Sequence, residues 1–362
     1  MNPSWARRVW ERQGLLGRLL WALSLPFSFP YLLAVEVRNL LYSRGWLPIQ
    51  SLPRAVISVG NLTVGGTGKT PTVLWLGQEL SRRGLRVAIL SRGYKRRRLE
   101  PHLLEPGQDQ GVVFGIGEDP SEAGDEAVMM AKVFRQRVGV GENRYEVGMQ
   151  LLGRSEVDAF LLDDGFQHRQ LKRDLDLLLL GSNGGGSLLP AGPLREPRSA
   201  LRRADLYLVT GSLTEWQPLL EGRPEDAVFV GALKPKALLT LELGQWKEYP
   251  LTLLDRSKIL AVSAIADPSH FYRMIHEWDG ELVDTMEFPD HYSYSARDWQ
   301  RINRVARNTD LIVTTEKDIL KLVRFPFARE KLFALRVEMV VENGAALVQS
   351  VERAIRSARK GA

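Results

Sequence analysis

The chain has 362 residues, a formal charge of +6, 44% hydrophobic and 25% charged residues, and no cysteine. That length suggests two domains or one large one, and the composition is that of a globular protein with a real core. The lack of cysteine excludes disulfides and cysteine-ligated zinc, and five histidines argue against a histidine-rich metal site.

The charge is uneven. Arg7, Arg8, Arg12, Arg18, Arg38 and Arg44 stand against Glu11 and Glu36 in the first fifty residues, and Arg92, Lys95, Arg96, Arg97 and Arg98 form a second cluster. Such patches favour anionic partners, phospholipid headgroups or a phosphorylated substrate among them; the plainer alternative is a solvated basic face. No stacking platform or reading helix supports nucleic acid.

Residues 1–50 differ from the rest. Leu19 to Val35 carries no charge, is interrupted by Pro26 and Pro30, and is flanked by arginines with Trp5, Trp10, Trp21, Tyr31, Tyr42 and Trp46 interleaved. The stretch is near the minimum for spanning a bilayer, and its aromatics and arginines suit the interface better than the centre. A monotopic helix-turn-helix anchor is expected, the alternative being a helical pair packed on the protein's own core.

From Ala55 to Thr210, apolar runs alternate with longer amphipathic stretches. The runs Ala55–Val59, Arg86–Leu90, Ala159–Leu162, Leu175–Leu180 and Leu206–Val209 read as strands buried on both faces. With helices between them, the first at Thr72–Leu80, they predict a doubly wound, mostly parallel α/β sheet of the P-loop NTPase type. Leu99 to Pro120 reads as loop or hairpin, Gly184–Gly186 as a turn and Gly211 to Asp226 as a connector. Beyond it, strands are expected at Val228–Leu233, Ile259–Ala264, Leu311–Thr314 and Leu332–Val337, and helices at Pro268–Trp278, Ala296–Asn308 and Gly344–Arg359. The division is therefore 1–50 membrane-associating helices, 51–225 a larger α/β domain, and 226–362 a smaller α/β domain.

The first apolar run leads into Gly60-Asn61-Leu62-Thr63-Val64-Gly65-Gly66-Thr67-Gly68-Lys69-Thr70-Pro71. Strand, glycine-rich turn and helix form the context of a phosphate-binding loop, although Thr63 holds the place of the usual first glycine. Val64, Gly65, Gly66, Thr67 and Gly68 would wrap the phosphates, Lys69 would reach the β- and γ-phosphates, and Thr70 would put its hydroxyl on Mg²⁺. Asp163 and Asp164 follow a buried run and would complete the metal site; together the two motifs imply a nucleoside triphosphate and Mg²⁺, and make 51–225 a P-loop kinase domain over whose nucleotide 226–362 would close. A kinase acting on an alcohol needs a carboxylate or imidazole near the attacking hydroxyl, and Asp125 and His291 lie in unusually polar clusters. From spacing alone, a surface or capping role is the favoured reading of each.

The phosphate loop, Ser91-Arg92-Gly93-Tyr94, Glu122-Ala123-Gly124-Asp125-Glu126, Asp163-Asp164-Gly165-Phe166-Gln167-His168, Leu189-Pro190-Ala191-Gly192-Pro193-Leu194-Arg195-Glu196-Pro197 and Phe288-Pro289-Asp290-His291-Tyr292, in this order, resemble the tetraacyldisaccharide 4′-kinase family of Gram-negative lipid A biosynthesis. Thr63 agrees with that family; Glu316 departs from it, since other members more often have a small residue or proline there. The resemblance implies transfer of the γ-phosphate of ATP to the 4′-hydroxyl of a tetraacylated glucosamine disaccharide 1-phosphate at the cytoplasmic face of the inner membrane. It implies that Asp125 is the catalytic base with His291 as its partner, and that Lys69 serves catalysis. Arg92, Tyr94, Arg144, Gln167, His168, Arg195 and Glu196 would surround the sugar, its phosphate and the metal. The competing readings are a membrane-attached P-loop ATPase switch with no lipid acceptor, which Val64 argues against because such switches carry lysine there, and a soluble metabolite kinase, which would need no anchor.

Overall fold

The computed structural model describes residues 3–93, 102–104, 124–134, 137–182, 186–242, 245–265, 267–290, 292–327 and 331–360. Helix α1 (Pro3–Trp10) turns at residues 11–13 into α2 (Gly14–Ser43). Helix and turn are thus present, but the break is not at the prolines: α2 runs unbroken through Pro26 and Pro30. The two prolines are four residues apart, so the amides they lack would have bonded to the carbonyls of Ala22 and Pro26, and the flanking turns carry the helix across.

The nucleotide-type half follows as β1 (Ala55–Asn61), α3 (Lys69–Arg82), β2 (Val87–Ser91), β3 (His102–Leu104), α4 (Asp125–Phe134), β4 (Arg137–Val140), α5 (Arg144–Arg154), β5 (Ala159–Asp163), β6 (Leu175–Leu180), β7 (Leu206–Val209) and α6 (Leu213–Leu220). The stretch read as a connector therefore holds a helix, with Trp216 buried and its indole N–H donated to the Gly181 carbonyl at 2.8 Å. The remainder is β8 (Val228–Glu242), β9 (Gln245–Tyr249), β10 (Lys258–Ser263), α7 (Ser269–His276), β11 (Glu281–Glu287), α8 (Ala296–Val305), β12 (Leu311–Thr315), α9 (Glu316–Leu322), β13 (Leu332–Val341) and α10 (Gly344–Lys360).

Among the described residues the strands form one continuous path, β11-β10-β12-β13-β8-β7-β6-β1-β5-β2-β4-β3, with β9 on β8. The pairs from β7 to β4 are parallel, as continuous apolar runs require, and β3 closes the edge antiparallel. Strand β1 buries Ala55, Ile57 and Val59 on one face, against α3, α4 and α10, and Val56 on the other, against Val147 and Leu151 of α5. The second half repeats the principle with β10, β11, β12 and β13 parallel.

Strand β8 belongs to both halves. Its start pairs parallel with β7 and its middle pairs antiparallel with β13. The chain also returns: α10 lays Leu347, Val348, Val351 and Ile355 into the core that contains Ile57 and Leu161. Residues 226–362 thus supply a helix to the first half as well as the second sheet.

Candidate active site

The site lies where the strand order reverses, at the carboxyl ends of β1 and β5, the switch point at which open parallel sheets bind ligands. Gly60 is required there by close approach: a Cβ on it would fall 2.5 Å from the Phe166 Cβ. Gly68 caps α3 with φ +83°, a left-handed backbone that glycine adopts without strain. No side chain caps this helix N-terminus, so its amides face the loop as anion donors.

Lys69 is held over the loop. Its ammonium donates to Asn61 Oδ1 at 3.2 Å and to the Gly65 carbonyl at 3.4 Å, and lies 3.6 Å from Asp164. Asn61 in turn donates to Thr67 Oγ1 at 2.9 Å and Thr63 Oγ1 at 3.2 Å. Thr63 therefore acts as a tether where the usual loop has glycine. Thr70 stands in the first turn of α3, partly accessible. Val64 differs from its neighbours in the loop, because its N–H already donates to the Pro193 carbonyl at 2.7 Å.

The two aspartates divide sharply. Asp163 ends β5 opposite Val59, is buried, and its Oδ1 has no hydrogen-bond partner among the described residues. Burial, with Glu126 and Asp164 nearby, pushes its carboxyl up to about 7. Asp164 sits at φ +51°, and Arg195 Nη1 reaches both its oxygens, at 2.8 and 3.0 Å. Burial would raise its pKa, but Lys69 and Arg195 outweigh that and hold it below the usual carboxylate value. The orphaned, buried oxygen of Asp163 and the Thr70 hydroxyl in the first turn of α3 are hard-oxygen donors of the kind that suits Mg²⁺.

Behind the aspartates, buried Arg144 places Nη1 3.2 Å from His168 Nδ1. Burial, then the nearby Arg92, lowers the Arg144 pKa to about 10. Burial and the Arg144 charge lower the His168 pKa to about 3, so the imidazole is neutral, with Nδ1 facing a donor. Gln167 Nε2 donates to the Asn61 carbonyl at 3.0 Å, and its buried Oε1 has no partner among the described residues. Arg92 is exposed, 3.5 Å from Glu142.

Glu196 is placed apart from this group. It is fully buried, 2.8 Å from Arg203, 3.7 Å from Arg38 and hydrogen-bonded by Asn39 Nδ2 at 3.0 Å. Its side chain binds α2 to the body instead of facing the aspartates. Tyr94 and His291 lie outside the described residues, and of Asp125 the backbone alone is described, as the first residue of α4.

One helix nevertheless touches both α4 and the residues 290 and 292. Helix α9 packs on α4. Its Lys317 donates to Asp290 at 2.8 Å, and its Lys321 donates to the Tyr292 carbonyl at 3.1 Å. Burial would lower the Lys317 pKa, but Asp290, Asp318 and Glu126 of α4 outweigh that and raise it. Sequence reasoning listed neither Lys317 nor Asn61 among the site residues. The signal for Asn61 was present: an amide at the end of a strand otherwise apolar, immediately before the glycines.

The description Tetraacyldisaccharide-1-P 4′-kinase belongs to the family model that matches residues 19–356. The chain belongs to that family. A tetraacyldisaccharide 4′-kinase from Geobacter sulfurreducens is 39% identical over 317 residues, covering 86% of this chain and 87% of the relative. The enzyme of that name from Aquifex aeolicus is 36% identical over 331 residues, covering 91% and 97%. The crystal structure of LpxK from Aquifex aeolicus, in complex with ATP, superposes with a TM-score of 0.76 at 35% identity and covers 93% of this chain and 99% of that one. Members of the tetraacyldisaccharide 4′-kinase family thus match both halves of the fold, and the α/β architecture expected from the apolar runs agrees with theirs.

Proposed function

We propose that this chain is an ATP-dependent kinase that moves the γ-phosphate of ATP to the 4′-hydroxyl of a tetraacylated glucosamine disaccharide 1-phosphate, a step of lipid A biosynthesis. The observation that carries the reading is a family match across residues 19–356, joined to a glycine-rich loop whose Lys69 lies 3.6 Å from Asp164, the neighbour of buried Asp163. The ATP-bound relative and the phosphate loop support ATP as donor.

Phosphoryl transfer asks the protein mainly for positioning and charge. Val64, Gly65, Gly66, Thr67, Gly68, Lys69 and Thr70 form the nucleotide loop. Lys69, preset by Asn61 and Asp164, supplies charge where the γ-phosphate would lie. Thr70, Asp163 and Asp164 would hold Mg²⁺, which when bound neutralises phosphate charge. Neutral His168, Arg144, Arg92, Tyr94, Gln167 and Arg195 are assigned to the acceptor side, and Glu196 supports them through α2. Asp125 is assigned as the base that takes the 4′-hydroxyl proton, with His291 as its partner. The contact of α9 with α4 supports this pairing, because closure of the two halves would bring base and hydroxyl together.

We assign the chain to the cytoplasmic face of the inner membrane, bound peripherally or monotopically. Helix α2 exposes Leu15, Leu16, Leu19, Leu23, Phe27, Phe29, Leu33, Val37 and Leu40, an apolar face of the kind that lies in a bilayer interface. A glycolipid acceptor would be met there.

The test uses γ-labelled ATP, Mg²⁺, detergent and the tetraacylated disaccharide 1-phosphate, with label followed into lipid by chromatography. Transfer is expected, and Asp125→Ala should lower kcat by about 10²–10⁴-fold with ATP affinity little changed. Hydrolysis of ATP without label in lipid would move the case to the ATPase switch.

A further inference from the structure

The face of α2 turned to the protein is polar at intervals of three and four residues. Ser28 Oγ donates to the Leu188 carbonyl at 3.0 Å and accepts from the Ala191 N–H at 3.4 Å. Tyr31 donates its hydroxyl to the Arg195 carbonyl at 2.8 Å. Val35 and Tyr42 are buried on the same face, and Asn39 reaches Glu196. From α1, Trp10 donates its indole N–H to the Pro190 carbonyl at 3.0 Å. The apolar helix is thus stitched along its length to the strap 187–196.

The other edge of that strap is bonded to the phosphate loop. The Val64 N–H donates to the Pro193 carbonyl and the Arg195 N–H to the Leu62 carbonyl, each at 2.7 Å, while Thr63 bridges Leu194. Leu194 packs with Leu62 and Phe166 in one core cluster. The guanidinium of Arg195 then holds Asp164, which faces Lys69. Residue 195 is therefore fixed on three sides: its carbonyl by α2, its amide by the chain leaving β1, and its side chain by the aspartate.

We propose that Tyr31 is a positioning residue for the nucleotide site, acting from the membrane-facing helix through the 187–196 strap on Arg195, Asp164 and the start of the phosphate loop. The inference rests on the kinase reading for its location but not for its test. A helix needed only as an anchor would pack on the body by apolar contact. Here the inward face carries, beside buried Val35 and Tyr42, two hydroxyl donors, Ser28 and Tyr31, aimed at the backbone of the strap that carries Arg195. Burial raises the pKa of the Tyr31 phenol, which keeps it a neutral donor throughout the working range. Any displacement of α2 must therefore move, or release, the carbonyl of the residue that orients Asp164. By linkage, a lipid surface that seats α2 and a nucleotide that needs Asp164 in place favour the same arrangement.

The experiment uses the full chain with Tyr31→Phe, which removes one hydroxyl and keeps the ring, and with Ser28→Ala, which frees the other end of the strap. Affinity for Mg²⁺·ATP is measured by equilibrium titration, and membrane association by sedimentation with vesicles of phosphatidylethanolamine and phosphatidylglycerol. The expected result is that ATP affinity falls roughly fivefold in Tyr31→Phe and further in the double variant, the loss of one or two net hydrogen bonds, while vesicle binding and the melting curve stay at wild-type values. ATP affinity unchanged in both variants, or a loss confined to vesicle binding, overturns the proposal. If Tyr31→Phe alone fails to fold, Ser28→Ala decides between the same two outcomes. Because the titration needs no acceptor, absence of lipid phosphorylation by the wild type would sink the kinase reading and leave this test intact.

Discussion

The two long helices at the ends of the described chain, α2 and α10, use similar residues in opposite senses. Helix α10 turns Leu347, Val348, Val351 and Ile355 inward and meets solvent with Arg353 and Arg356, as a surface helix of a globular protein does. Helix α2 turns Ser28, Tyr31 and Asn39 inward and leaves Leu15 87% and Phe29 71% exposed. The difference teaches that amphipathicity alone does not say which face is the inside. In α10 the apolar stripe is the adhesive; in α2 hydrogen bonds share that task with Val35 and Tyr42, and the apolar stripe stays exposed.

The contrast can be broken most severely by charge. Val351→Asp would bury an unpaired carboxylate in the main core and should cost more than about 4 kcal/mol, enough to unfold the chain. Leu19→Asp on the outer face of α2 should leave the melting temperature in detergent unchanged and reduce sedimentation with vesicles. Equal melting losses in the two variants would mean that α2 is an ordinary packed helix.

A second, smaller effect concerns the adhesive of α2. Glu196→Gln removes the buried negative charge shared by Arg203, Arg38 and Asn39 and leaves the partly buried guanidinium of Arg203 without compensation. A loss of about 3 kcal/mol is expected, read as a shifted denaturant midpoint, with protease cleavage appearing first between α2 and the body. A wild-type midpoint would show that the ion cluster is not what holds the helix.

The mildest test separates a buried carboxylate with cations from one without. Glu316 accepts a hydrogen bond from the Val337 N–H at 3.4 Å, its Oε1 has no partner among the described residues, and burial pushes its carboxyl up to about 8. Its folded pKa therefore lies above its unfolded one. Its contribution to stability is complete below the unfolded value near 4.5 and is lost progressively as pH rises toward 8, because the unfolded chain ionises while the folded one resists. Glu316→Gln should match the wild type at pH 4.5 and melt higher by several degrees at pH 8. Parallel melting curves across that range would mean that the carboxylate is paired after all.

These contrasts also mark what the sequence could disclose. The parallel strands were readable because Ala55–Asn61, Ala159–Asp163 and Leu175–Leu180 are buried on both faces, which leaves unbroken apolar runs. Strand β11, Glu-Leu-Val-Asp-Thr-Met-Glu, was not readable, since an edge strand with most side chains exposed has no such run. The second part of β8 hides behind Lys234-Pro235-Lys236, where Pro235 pairs with Val337 beside a register shift. In α2 the prolines suggested an end that did not occur, because local propensity yields to the surrounding turns.

In the site, the residues assigned above to phosphate and metal announce themselves by spacing: Gly68-Lys69-Thr70 and Asp163-Asp164. The residues that hold them in place do not. Tyr31 with Arg195, Asn39 with Glu196, and Lys317 with Asp290 are separated by between 27 and 164 positions, and no local pattern encodes such partners.

The return of α10 to the first sheet has a consequence for how the chain is made. Ile57 and Leu161 share a core with Leu347, Val351 and Ile355, so the nucleotide-binding half lacks part of its cover until residues 344–360 have left the ribosome. Helix α2 emerges first, before the strap that its polar face requires has been synthesised. During translation the apolar segment is therefore made well before the helix that completes the core around Ile57 and Leu161.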